Sequence, residues 1–146
     1  MKNKILLIVI IFIIILGISI YFVYNYRTSF IESQKINNIY KSYENIQILG
    51  TELASIINQT EDTNAKLSTE KNKEGRYIEN DTDSIKMYIK LQYKDDYNTY
   101  EIERILNNGI DNFIKAYGTA SFKCTEINYH EKTGNVKDIT FTEVDE

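Results

Sequence analysis

Apolar residues follow several distinct rhythms along the chain. Ile5 to Tyr24 is an unbroken run of 20 uncharged residues, the length of helix that crosses a bilayer core. Polar positions then enter, and apolar ones recur at Ile36, Ile39, Tyr43, Ile46, Gly50, Leu53 and Ile57. Steps of three and four make a helical seam, so residues 27–60 are predicted as a juxtamembrane amphipathic helix. With no proline in the chain, residues 5 to 60 would extend as one rod of roughly 80 Å. The polar stretch 61–75, "EDTNAKLSTEKNKEG", ends the seam and reads as a connector.

The rhythm then changes. Ile85, Met87, Ile89, Leu91 and Tyr93 alternate with polar residues, the mark of a strand with one buried face. Arg76 to Glu79 is predicted as its partner strand, across a turn at Asn80–Asp83. A second helix follows on the apolar face Ile102, Ile105, Leu106, Ile110, Phe113, Ile114 and Tyr117. Asn98 with Glu101 three residues on suits its N-terminal cap, and Gly118 its end. The remainder reads as two strands around a turn near "KTGN". Phe122 and Cys124 share one phase while Ile127 and Tyr129 have the other, which requires a bulge near Thr125–Glu126. The expected fold is α+β, in the order α-β-β-α-β-β. An anchor at 1–26 precedes the helix, and an antiparallel sheet of about four strands is formed by 76–146, packing with 36–60.

Both soluble helices carry a glycine on the apolar stripe, Gly50 and Gly109. A mid-helix glycine costs about 1 kcal/mol against alanine, so both are predicted to mark tight contacts, either with each other at a helix crossing or with a large side chain from the sheet. The alternative is that "NNG" divides the second helix into two pieces.

Charge places the chain further. Lys2 and Lys4 crowd the start of the apolar run, whereas Arg27 and Lys35 follow it sparsely, which favours a cytoplasmic N-terminus and an extracytoplasmic C-terminal domain. Tyr21, Tyr24 and Tyr26 stand at the far end of the span, where amphipathic rings suit the membrane interface. Without Lys2 and Lys4 the chain keeps 15 basic against 21 acidic residues. An acidic domain of this kind does not suit nucleic acid. Cys124 has no second cysteine to pair with and is expected buried.

Chemistry of the catalytic kind is sparse. The lone His130 lies about 20 Å from Cys124 along an extended strand, too far for a nucleophile pair, and is expected to be solvated beside the turn. "NDTDS" lacks the glycine and the terminal glutamate of a calcium loop and reads as a turn. The acidic tail Glu143, Asp145 and Glu146 forms no motif. No metal site, cofactor or catalytic residue is assigned, and the chain is read as non-enzymatic. Tyrosine is the one abundant resource, and Tyr88, Tyr97 and Tyr100 are the candidate interface residues.

The leader "MKNK", the apolar helix running into an ectodomain and the sheet after it together resemble type IV pilin-like and pseudopilin-like membrane-anchored proteins of low-GC Gram-positive bacteria. The likeness is architectural: Asn3 and Lys4 precede the run, and Val9 and Ile10 stand where a prepilin glutamate would fall. It implies a single-pass protein whose partners are the lipid bilayer and other envelope or pilus-like assembly proteins. The other function considered is a ligand-sensing or substrate-binding ectodomain with a tyrosine-lined cleft.

Overall fold

The structure is a computed structural model and describes residues 2–144, so Met1, Asp145 and Glu146 of the sequence reading lie outside it. The chain divides into two compact units, Met1–Lys35 and Ile36–Glu146. Helix α1 (Lys2–Lys41) makes up the first unit and lends its last turns to the second.

The seam predicted for one helix is shared between two. Helix α1 stops at Lys41, a turn follows with Asn45 at φ 63°, and β1 (Gln47–Leu49) precedes α2 (Gly50–Lys66). The seam holds only in part: Leu53 and Ile57 are buried and Ile36 and Tyr43 pack against the same core, whereas Ile46 is exposed and Tyr40 and Ile56, both off the seam, are buried. Asparagine tolerates the left-handed turn better than most residues, which lets the chain reverse there without a glycine. Helix α2 also runs into the expected connector, ending at Lys66.

The sheet has five strands in the order β1-β4-β5-β2-β3. Strand β2 (Lys86–Tyr93) pairs antiparallel with β3 (Asp96–Glu101) through a turn at Lys94–Asp95. The predicted partner, Arg76–Glu79, contributes only an isolated bridge from Tyr77 to Lys71. Asn98 therefore lies within a strand. Helix α3 (Ile102–Asn107) begins after Glu101 with no side-chain cap. Strands β4 (Ser121–Tyr129) and β5 (Val136–Val144) form the expected hairpin, and their register shifts between Cys124 and Glu126, where the phase of the sequence required a bulge. Strand β5 also pairs parallel with β2, so the sheet is mixed rather than antiparallel. The α+β class holds.

The two glycines have different roles. Gly50 is the first residue of α2, where a Cβ would meet the Tyr117 carbonyl oxygen at 1.9 Å. Its partner in this approach is the end of α4 (Ile110–Tyr117), not Gly109. Gly109 sits between α3 and α4 at φ 89°, and a Cβ there would have only the Asn112 side chain nearby, at 3.5 Å. It is the break that "NNG" permits, since glycine adopts a positive φ without steric cost. Gly118 ends α4, its N–H bonded to Ile114 O at 2.8 Å.

Asparagine, abundant in the sequence, secures the loops. Asn64 is fully buried and pairs with Ile85 as a peptide would, donating to its carbonyl at 2.7 Å and accepting from its N–H at 2.9 Å. Asn37 on α1 does the same for the β4–β5 turn, with Gly134 O at 2.9 Å and the Val136 N–H at 2.8 Å. Tyr40 donates to Thr60 Oγ1 at 2.9 Å, whose hydroxyl in turn bonds Ile56 O. Each bond satisfies a buried group that would otherwise cost about 1–3 kcal/mol.

Candidate functional site

The apolar run forms helix throughout, and its large side chains from Ile5 to Tyr24 are exposed. The helix is long and apolar enough to cross a membrane. Tyr21, Tyr24 and Tyr26 are exposed near the far end of that run, and the rings of Tyr21 and Phe22 meet edge to face at 6.1 Å.

Within the second unit the three interface tyrosines do not come together. Residues directly opposite one another in a ladder share a face of the sheet. Tyr100 stands across from Ile89 and packs against the core, with the Arg104 guanidinium 5.0 Å from its ring. Tyr88 and Tyr97 stand across from Glu101 and Gln92, on the other face. Tyr97 is exposed, whereas Tyr88 is half-buried. Burial raises the Tyr88 phenol above its usual pKa, and the charges of Glu101, Asp138, Glu79 and Glu103 add to that shift. Alternation along β3 puts Tyr97 and Tyr100, three residues apart, on opposite faces.

A concave site lies elsewhere, at the turn end of the β4–β5 hairpin. It is a polar cleft of about 430 Å³ whose walls include Glu79, Asp81, Asn128, His130, Lys137 and Asp138. Lys132 pairs with Asp81, and Lys137 with Glu79 at 3.0 Å. The Asn128 amide donates to both Asp138 (2.8 Å) and Glu126 (3.0 Å). Neither of those carboxylates has a Lys or Arg partner within 4.0 Å among the described residues. No spacing in the sequence announces this site, because its residues come from three separate segments.

Asn80 accepts the backbone N–H groups of Thr82, Asp83 and Ser84 with a single oxygen, at 2.9–3.0 Å. "NDTDS" is therefore a side-chain-braced turn. His130 is 4 % exposed rather than solvated. Its Nε2 donates to Ser84 O at 2.9 Å, and its backbone is held by Asn135 and Gly134. The ring's partner lies 46 residues earlier in the chain, a tertiary contact that neighbouring residues in the sequence do not signal.

Cys124 is buried, as its residue type suggested. Burial pushes the thiol up to about 11; a hydrogen bond to Glu126 O opposes the shift and the Glu44 charge adds to it. An unfolded thiol ionises near pH 8.5, so between there and about 11 the folded chain binds more protons than the unfolded one. Burial likewise raises Tyr40. Stability is expected to be insensitive to these groups near neutrality and to decline as pH rises from about 9 toward 11. Denaturation midpoints across that range, for the parent and Cys124→Ser, test this: the decline should be shallower in the variant. Equal profiles would remove the thiol from the account.

No protein-family model, curated protein or solved structure matches the chain.

Proposed function

We propose that this is a single-pass, membrane-anchored interaction protein that presents an acidic α+β domain outside the cell membrane. It has no catalytic role and contributes to a pilus-like or secretion assembly. The observation that carries this reading is the exposed apolar run of α1. In water, the 16 Ile, Leu, Val and Phe side chains of this run would each forgo about 1.5–3 kcal/mol of burial, and a bilayer removes that penalty. The two lysines at its start set the orientation. The membrane segment supplies lateral contacts, and the folded domain supplies the choice of partner.

Protease treatment of intact cells carrying a C-terminal epitope tests topology and anchoring together. The epitope is expected to be lost from intact cells, while an untreated sample stays in the membrane fraction through an alkaline carbonate wash. An epitope protected until lysis would reverse the orientation, and release by the wash would remove the anchor.

A further inference from the structure

Strand β4 is longer than the strand that covers it. Strand β1 pairs only with residues 121–123 of β4, and one isolated bridge joins Glu44 to Cys124. From Thr125 to Tyr129, β4 has a strand neighbour on one side only, β5. Alternate backbone N–H and C=O groups along this stretch point outward without a ladder partner, the arrangement that invites another strand. The bulge between Cys124 and Glu126 marks where the covered half gives way to the open half.

We infer that Thr125–Tyr129 takes an extended, basic segment of another protein as a sixth strand, with a cationic side chain seated over Glu126 and Asp138. The side chains beside the open edge select the charge. Asn128 stands across from Asp138 and two residues along β4 from Glu126, and its neutral amide is shared between the two carboxylates. A lysine or arginine on an added strand beside Glu126 and Asn128 would stand next to the two carboxylates that share the Asn128 amide and provide the missing countercharge. Beyond Asn128 the edge opens into the 430 Å³ cleft, where Glu131 also has no basic partner within 4.0 Å among the described residues. A second copy of the chain is a poor occupant, because the part following the apolar run has 15 basic against 21 acidic residues and copies repel. At the opposite edge, β3, Glu101 is already met by Arg76 at 3.5 Å.

The inference deepens the interaction reading by naming the partner's chemistry, and it holds for either membrane orientation. The full chain in nonionic detergent is mixed with a synthetic peptide of alternating lysine and valine, or with one of alternating glutamate and valine. Amide hydrogen exchange is then followed along β4. The lysine peptide is expected to slow exchange of the outward amides within 125–129 by at least about tenfold, and the glutamate peptide to leave it unchanged. The double variant Glu126→Gln/Asp138→Asn should lose the slowing while residues 121–123 stay protected, which shows that the sheet is intact. Equal slowing by both peptides, or binding of the lysine peptide without slowing at 125–129, overturns the inference. A wrong topology would appear only in the protease experiment, so the two failures are distinguishable.

Discussion

Gly50→Ala is expected to remove about 3 kcal/mol or more of stability, the largest effect of any single methyl group in the domain. The added carbon would lie 1.9 Å from Tyr117 O, 2.7 Å from its carbonyl carbon and 3.1 Å from Gly118 Cα, all backbone atoms. Backbone cannot swing aside as a side chain can. The two elements are also tied at this point, because Gly50 N–H bonds Ala120 O at 2.9 Å and Thr51 N–H bonds Gly118 O at 3.1 Å. Those carbonyls cap the start of α2, which has no side-chain cap of its own and would otherwise leave these N–H groups unsatisfied. Retreat by either partner breaks the cap, and staying in place keeps the clash. Gly109→Ala provides the contrast: its neighbourhood is open, and only the positive φ is strained, at about 1–2 kcal/mol. Denaturant melts of both variants decide the matter. A Gly50→Ala chain within about 1 kcal/mol of the parent would show that the junction is looser than described.

Lys86→Met is the second large effect, expected at about 3 kcal/mol. Glu103 is 4 % exposed, and one of its oxygens, Oε2, has no hydrogen-bond partner. The other, Oε1, accepts the Tyr77 N–H at 3.1 Å and lies 3.5 Å from Lys86 Nζ. Removing the ammonium leaves a buried carboxylate with one backbone donor and no countercharge. Adding Glu103→Gln should recover most of the loss, since the amide oxygen can still accept from Tyr77 and no charge remains to be balanced. If the double variant is no more stable than Lys86→Met alone, the cost lies in lost packing of the lysine stem rather than in the orphaned charge.

Where side chains met a single buried face, the pattern of the sequence predicted the element. Alternation at Ile85–Leu91 gave β2, and the conflict of phase between Cys124 and Ile127 located the bulge to within a residue. Strand β3 was missed for the opposite reason. Asp96–Thr99 is exposed on both faces at a sheet edge, so it has no alternation, and Asn98 with Glu101 imitated a helix cap. The seam from Ile36 to Ile57 misled because apolar spacing alone cannot show a reversal: Tyr43 and exposed Ile46 kept the rhythm through a segment that belongs to neither helix. The interruption rests on Asn45, one asparagine among many. The cleft and the open half of β4 were invisible in the sequence: what defines them is where β1 stops and which loops converge, and neither leaves a local trace.

The position of β5 has a consequence for how the molecule is made. Among the described residues it is the last element in chain order, yet it lies in the middle of the sheet, between β4 and β2. Its parallel pairing with β2 joins residues 86–90 to 138–142, a contact whose loop-closure entropy must be met before the contact forms. Until residues 138–142 have left the ribosome, β2–β3 and β1–β4 have no strand between them. The sheet therefore cannot close on a growing chain. A chain still lacking β5 would hold its two strand pairs in a loosely ordered state and close the sheet only once β5 is in place.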